Sequence, residues 1–227
     1  MIYVTGDLHG DEKRLRPFKR GLLRKNPYLL VCGDFGFVWD DSEREKAALS
    51  RLERLDCTIL FVEGTHDNLD LLSAFPQEEM FGAPVRRVRK NIFWLSRGEI
   101  YTIEDKTVFA FGGAESPDAD SRTEGVSWWK NEYPTTEEMR HAAENILARD
   151  SVDIIITHQN PGVALGEIGE YEHMNTLKIF LRKIMTDTTY GHWYFGGDHV
   201  DRAVSPHMTA VFEKIIPATE KKGRKEK

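Results

Sequence analysis

The sequence has few cysteines, and their placement excludes a disulfide-rich secreted domain. Its 227 residues include only Cys32 and Cys57, which lie far apart and each in its own apolar run. Small secreted domains depend on dense disulfide frameworks, whereas isolated cysteines in apolar runs are typical of reduced core thiols. We therefore expect a cytoplasmic protein.

Long apolar runs and an excess of positive charge are also missing. No run approaches the roughly 20 apolar residues of a membrane-spanning helix. The first run, in "MIYVTGDLHG", is too short for the core of a signal peptide. The formal net charge of −6 argues against a general nucleic-acid binder, although a nucleotide substrate held by a metal stays open. We expect no membrane contact.

The sequence does contain short apolar runs that alternate with helical patterns. The runs are rich in β-branched and aromatic residues, which predicts strands. They lie at 1–5, 28–32, 57–62, 92–95, 99–103, 107–111, 152–157, 192–195 and 208–212. Helices are predicted at 41–55, 135–149 and 175–185, with a weaker one at 12–25.

This order of elements predicts an α/β fold. Strand, helix and strand at the start of the chain predict parallel βαβ units, while the closely spaced runs from 92 to 111 predict antiparallel hairpins. Two packed sheets with helices outside would satisfy both halves. We expect one domain over residues 1–216 and a charged, disordered tail at 217–227.

Residues that can bind metals follow the predicted strands. The runs lead into "GDLHG", "GDFG", "GTHDN", "TH" and "GGDH", which supply Asp7, His9, Asp34, His66, Asp67, His158, Asp198 and His199. Extended residues two positions apart project to the same side, so Asp7 and His9 can bind one ion. The carboxyl ends of parallel strands converge on one crevice, and the set therefore predicts a carboxylate–imidazole metal site.

Each of these residues taken alone has a structural explanation as well. Asp7 and His9 fit a turn with a surface histidine, and Asp34 fits a helix cap or an Asx turn. His158 fits a hydrogen-bonded residue at a strand end. The repeated appearance of Asp or His after an apolar run favours the functional interpretation.

In their order, these motifs resemble the signature blocks of the calcineurin-like metallophosphoesterases. Those blocks are GDxHG, GDxx, GNH(D/E), a histidine after a strand, and GHxH, and the resemblance covers roughly residues 1–205. It implies a four-layer α/β/β/α sandwich with two central mixed sheets and two metals at the strand ends. Residues 112–129 further resemble a bacterial branch of the family, and the DRG extension of the protein serine/threonine phosphatases is missing from the sequence.

The resemblance implies metal ligands residue by residue. Asp7, His9 and His199 would hold the first metal. Asp34 would bridge to a second metal, which His158 would also bind. Mn²⁺ or Fe suits such a shell best, and Zn²⁺ is a further candidate.

The resemblance also implies a reaction. His66 would stand near the leaving group as proton donor or phosphate ligand, with Asp67 orienting its ring, and the bridging charge of Asp34 would help to form the attacking hydroxide. The expected activity is hydrolysis of a small phosphomonoester or phosphodiester through a metal-bound hydroxide. Arg122 could pair with the phosphate or with a nearby acid.

Two positions depart from the family pattern, and both affect the second metal. Thr65 stands where the pattern has asparagine, and Gly197 stands where it has the first histidine of GHxH. Asp198 or His192 could replace a ligand, but neither is in register with the motif. We therefore expect one firm metal site and one that is weak or vacant.

Three functions stay open on the sequence alone. The first is a metal-dependent phosphoesterase. The second is a catalytically weakened or inactive relative that acts as a metal- or phosphate-binding or regulatory module. The third is an α/β interaction protein whose strand-end residues are structural. The tandem Trp128 and Trp129 could be a packing wedge or a substrate platform, and for Trp39 core packing is favoured.

Overall fold

Two β-sheets packed face to face form the centre of the structure, a computed structural model that describes residues 1–19, 26–163 and 174–218. The strands in chain order are β1 (Ile2–Thr5), β2 (Tyr28–Cys32), β3 (Thr58–Val62), β4 (Gln77–Met80), β5 (Ala83–Arg89), β6 (Ile92–Leu95), β7 (Glu99–Ile103), β8 (Lys106–Phe111), β9 (Val152–Thr157), β10 (Tyr190–Phe195), β11 (Arg202–Ser205), β12 (Met208–Ala210) and β13 (Ile216–Pro217).

Both sheets are mixed. The first has the order β13-β1-β2-β3-β6-β5-β4, in which β1, β2, β3 and β6 run parallel. The second has the order β11-β12-β10-β9-β8-β7, in which β8, β9, β10 and β12 run parallel. The parallel strands carry near-continuous apolar sequences, as expected for strands covered on both faces.

Helices cover the outer face of each sheet. They are α1 (Glu43–Leu52), α2 (Leu69–Ala74), α3 (Thr136–Leu147) and α4 (Thr176–Asp187). Leu49 of α1 and Leu72 of α2 pack on the first sheet, and Ile146 of α3 and Leu181 of α4 pack on the second. The predicted four-layer α/β/β/α sandwich is confirmed.

The predicted helix starts agree with the capping chemistry of the structure. Thr135 and Glu138 form a reciprocal capping box at the start of α3, and the side chain of Asn175 accepts a hydrogen bond from the N–H of Lys178 at the start of α4. Residues at both helix starts line one groove, which is described below.

The structure corrects the predicted hairpins between 92 and 111. Only β7 and β8 form a hairpin, whereas β6 belongs to the other sheet and pairs with β3 and β5. The predicted helix at 12–25 is a 3₁₀ helix over Glu12–Phe18, and residues 20–25 lie outside the described part.

The last strand lies at the predicted boundary between domain and tail. Pro217 pairs with Tyr3 of β1, and Ala218 is buried in the core between the sheets. The rest of the predicted tail, residues 219–227, lies outside the described part. Within the ranges that the structure describes, no helix is both long enough and apolar enough to cross a membrane.

Candidate metal centre

The predicted site residues lie at the carboxyl ends of parallel strands. Asp7 follows β1, Asp34 follows β2, His66 follows β3, His158 follows β9 and His199 follows β10. The two sheets are packed so that these ends meet at one edge of the sandwich, where side chains from five loops come into contact.

Four residues form the centre of this edge, and we call them the four-residue cluster: Asp7, His9, Asp34 and His199. One potential ligand atom from each lies within 4.8 Å of all the others. The Nε2 atoms of His9 and His199 are 3.0 Å apart, and Nε2 of His199 is 3.1 Å from Oδ2 of Asp7. Both carboxylates are buried and both imidazoles are exposed, so the cluster opens to solvent on its imidazole side.

The backbone of this cluster is strained. His9, Asp34 and His199 have φ angles of +46°, +39° and +49°, in the left-handed region that residues other than glycine rarely adopt. Such conformations persist only where the surrounding structure holds them, and they concentrate at functional sites. The turns they form direct three side chains toward one point.

The donor set fits a divalent cation. Oδ1 of Asp7 is buried without a hydrogen bond among the described residues, although Nδ1 of His158 is 3.3 Å away. Asp34 is also buried, and the negative charge of Asp7 repels its carboxylate. Two buried carboxylates beside imidazoles are costly without a positive charge to compensate them. This combination suits a first-row transition metal ion.

The pKa values show how strongly these groups interact. Burial acts to raise the pKa of Asp7, but the charge of His158 and the close approach of the His158 and His199 rings outweigh it and hold this pKa below its ordinary value. Burial likewise acts to lower the pKa of His158, but the carboxylates of Asp34 and Asp7 outweigh it and raise the pKa well above its ordinary value. His158 therefore supplies a compensating positive charge as long as it keeps its proton.

His158 lies between the two carboxylates. Its Nδ1 is 3.3 Å from Oδ1 of Asp7 and 3.3 Å from the carbonyl oxygen of Cys32, while its Nε2 is 3.8 Å from Oδ1 of Asp34. The ring is buried. His158, the predicted ligand of the second metal, thus lies next to Asp34, the predicted bridging residue, but it is at least as close to Asp7.

Of the two departures from the family pattern, Gly197 lies beside His158 and Thr65 lies beside His66. The hydroxyl of Thr65 is 3.2 Å from Nδ1 of His66, and Gly197 presents only its backbone, whose N–H donates to Oδ2 of Asp7. His192, a suggested replacement ligand, lies near the start of β10 and contacts Thr209, so it is too far back along its strand. Asp198 is exposed and lies outside the four-residue cluster.

Asp34 of the four-residue cluster holds His66 in position. Its backbone N–H donates to Oδ1 of Asp34 at 2.8 Å, and its Nδ1 is 2.9 Å from Oδ2 of the same carboxylate. The hydrogen bond with Asp34 raises the pKa of His66, against the effect of burial. Arg122 approaches from the other side, with Nη2 at 2.9 Å from Nε2 of His66. Arg122 is itself paired with Asp118.

The structure corrects the predicted role of Asp67. Its carboxylate does not orient the ring of His66, a task that falls to Asp34. It accepts hydrogen bonds from the backbone N–H groups of Phe35, Gly36 and Gly64, and thereby joins the loops after β2 and β3. Burial and the charge of Asp34 raise the pKa of Asp67 to about 7.

Sequence analysis missed several residues that support the centre. Arg14 donates to the carbonyl oxygens of Asp7 and Phe212, and the ring of Phe212 stacks on His199 with centroids 4.7 Å apart. A Cβ atom at Gly64 would lie 2.0 Å from Oδ1 of Asp34, so only glycine allows this approach. The glycines were visible in the motifs, but nothing in the sequence points to Arg14.

The fold and the centre agree with a comparison against known protein families. Residues 1–214 match the calcineurin-like phosphoesterase family, and the chain belongs to that family. A search of curated proteins finds no match. The family and the cluster together support a metal-dependent phosphoesterase in general. The roles of the single residues stay predictions.

Proposed function

We propose that the protein hydrolyses a small phosphomonoester or phosphodiester and depends on a divalent metal to do so. The observation that carries this proposal is the convergence of the four-residue cluster at the strand ends, with ligand atoms within 4.8 Å of one another. Asp7, His9, Asp34 and His199 would hold the ion. Membership of the phosphoesterase family supports the reaction class.

The donor set favours Mn²⁺ or Fe, with Zn²⁺ as a further candidate, because two carboxylates and two imidazoles make a mixed oxygen–nitrogen shell. When bound, such an ion lowers the pKa of a coordinated water and offsets the negative charge of the phosphoryl oxygens. The buried carboxylates of Asp7 and Asp34 supply the negative charge that would hold the ion in place.

Two residues at the open side of the cluster would act on the substrate. The guanidinium of Arg122, which meets His66 and donates to the carbonyl of Thr65, is placed to bind a phosphoryl oxygen through charge-assisted hydrogen bonds. The imidazole of His66 is oriented through Nδ1 by Asp34, and its Nε2 faces Nη2 of Arg122. Once Arg122 binds the phosphoryl oxygens instead, a protonated Nε2 would pass its proton to the leaving-group oxygen. Asp34 would thus act on the ion and on His66 together.

A second function is favoured by the side of the centre near His158. Thr65 and Gly197 offer no strong side-chain ligand there, so a second ion would have few partners. A chain with one firm metal site and slow turnover could serve as a metal- or phosphate-binding or regulatory module. We rank this below the enzyme because the four-residue cluster is complete.

The experiment combines activity with metal content. The chelator-treated protein would be assayed with added Mn²⁺ on 4-nitrophenyl phosphate and bis(4-nitrophenyl) phosphate, alongside elemental analysis. Asp34→Asn is the test variant, and Asp187→Asn, an exposed carboxylate at the end of α4, is the matched control. Asparagine tolerates the left-handed backbone of Asp34, so the fold should survive.

The outcomes separate the candidates. Metal-dependent turnover that is lost in Asp34→Asn and kept in Asp187→Asn supports the enzyme. Bound metal without turnover of either ester supports the binding module. A chain that binds no metal and hydrolyses neither ester overturns both.

A further inference from the structure

A large groove shares two loops with the metal centre, but none of the four cluster residues lines it. It has a volume of about 1250 Å³ and is lined by parts of segments 115–120, 128–136 and 175–178, together with Met139 and Gln159. Pockets that bind drug-sized ligands typically enclose roughly 300–1000 Å³. The groove therefore has room for an organic group much larger than phosphate.

Two segments connect the groove to the centre. Asp118 pairs with Arg122, which reaches His66, while Pro117 and Ala119 on the same segment line the groove. Gln159 lines the groove and directly follows His158. An ester whose phosphate lies at the cluster could therefore extend its alcohol part into the groove.

The tandem tryptophans have different roles here. Trp129 is buried and packs edge-on against Trp39, with ring centroids 4.9 Å apart, so it serves the core. Trp128 is half-buried and lines the groove. Trp129 is therefore the packing wedge, and Trp128 forms an aromatic wall of the groove.

Glu132 fixes the orientation of that wall. Its Oε1 accepts hydrogen bonds from Nε1 of Trp128 at 2.9 Å and from the N–H of Ser116 at 3.1 Å. The side chain is 2% exposed, and Arg97 donates to its backbone carbonyl. A buried carboxylate is costly, and here it holds an indole in place. The wall is therefore ordered before any ligand arrives.

The remaining lining favours a neutral, polar ligand. Amide and hydroxyl side chains from Asn131, Thr136 and Gln159 offer both donors and acceptors. The charges include both signs, and Glu115 is bonded to Nδ2 of Asn175 at 2.7 Å. No single sign of charge dominates, which argues against a strongly anionic or cationic group.

We propose that this groove binds the alcohol part of the substrate, and that this part is a neutral, ring-bearing polar group of nucleoside or disaccharide size. The inference rests on the proposed phosphoesterase function. The ring packs on Trp128, as aromatic walls commonly bind flat or cyclic groups, and amide side chains bond to its polar edge. Glu132 acts as a positioning residue through Trp128.

The test measures binding directly and needs neither metal nor turnover. The indole N–H signals of the five tryptophans would be followed by NMR in the metal-stripped full chain, with Trp128→Phe identifying the Trp128 signal. The probes are adenosine and maltose, and glycerol is the ringless comparison. A saturable shift of the Trp128 signal with adenosine or maltose, and none with glycerol, supports the proposal. No shift with either ring compound, or an equal shift with glycerol, overturns it.

Variants at Glu132 test the positioning role. Glu132→Gln keeps an acceptor oxygen for the indole and should keep ring binding, whereas Glu132→Leu should weaken it at least tenfold. Equal binding by both variants would overturn the role of Glu132. The control is Tyr190→Ala, which removes a half-buried aromatic ring at the start of β10 that does not line the groove. This variant should leave ring binding unchanged.

A kinetic comparison connects the groove to the reaction. In Trp128→Ala, kcat/KM should fall at least tenfold further for adenosine 5′-monophosphate or maltose 1-phosphate, whichever ring the NMR selects, than for glycerol 3-phosphate, whose alcohol part has no ring. An equal fall for both esters overturns the assignment to the alcohol part. Ring binding by a protein that hydrolyses no ester would support the groove and contradict the proposed function, so the two failures are distinguishable.

Discussion

The backbone N–H of Gly197 donates a hydrogen bond to Oδ2 of Asp7 across 2.9 Å. Gly197 stands where the family pattern places a histidine, yet its main chain supports a carboxylate of the four-residue cluster. Its φ angle is +70°, and a Cβ atom there would lie 2.9 Å from the carbonyl oxygen of His158. The local backbone at position 197 therefore favours glycine over a residue with a side chain.

This geometry predicts what happens when the family ligands are introduced. Gly197→His should lower the free energy of unfolding by about 1–2 kcal/mol, the cost of a left-handed backbone for a residue with a Cβ. Thr65→Asn meets no such backbone strain and should raise the bound metal above that of the starting protein. Denaturant unfolding and elemental analysis measure the two effects. If Thr65→Asn binds no more metal, another residue already fills the gap, with Asp198 the first candidate.

Metal binding beside His158 should depend on pH. The carboxylates of Asp34 and Asp7 raise the pKa of His158, against the effect of burial, so its proton must leave before it can bind an ion. Below this raised pKa, affinity at this position should fall roughly tenfold for each unit that the pH drops, since one proton is displaced. Mn²⁺ content measured at pH 6.5 and 8.5 tests this. Equal content of a second ion at both values would show that His158 is not its ligand.

Asp67 and His66 are neighbours in sequence, but replacing them should have different effects. Asp67→Ala leaves three backbone N–H groups without their acceptor, at about 1–3 kcal/mol for each buried group, and should strongly destabilise the fold. His66→Ala removes a half-exposed ring and should reduce turnover with little loss of stability. Thermal unfolding of both variants checks the contrast. A stable Asp67→Ala protein would contradict the structural role of this carboxylate.

Arg122 should act on the substrate and not on the metal. A charge-assisted hydrogen bond contributes about 1.5–3 kcal/mol, so Arg122→Ala should lower kcat/KM by about 10- to 100-fold at unchanged metal content. Arg140→Ala, which breaks exposed ion pairs with Glu137 and Glu144 on α3, is the control. A loss of metal in Arg122→Ala would mean that the arginine supports the centre itself.

Sequence patterns predicted the features that depend on short stretches of the chain, such as the parallel strands and the residues at their ends. The parallel strands are continuous apolar runs, and their ends carry the ligand-type residues. Asp7, Asp34 and His199 therefore converge for a topological reason that the sequence already contains. The edge strand β4, "QEEM", and its neighbour β5, "APVRRVR", were missed because charged side chains interrupt the apolar pattern that marks a strand.

Other features depend on contacts between distant segments. Asp67 follows His66 in the sequence, but its partners lie in the loop after β2 as well as its own, which no spacing rule reveals. The groove is lined by residues from segments 115–120, 128–139 and 175–178 and by Gln159, and only their packing makes Trp128 a wall and Trp129 a core residue.

The most direct test of the account is an anomalous difference map from crystals soaked in Mn²⁺. We predict a strong peak within about 2.0–2.3 Å of ligand atoms from Asp7, His9, Asp34 and His199, and a weak peak or none beside Thr65 and His158. A peak elsewhere, or no peak among the four-residue cluster under conditions that saturate the protein with metal, would contradict it.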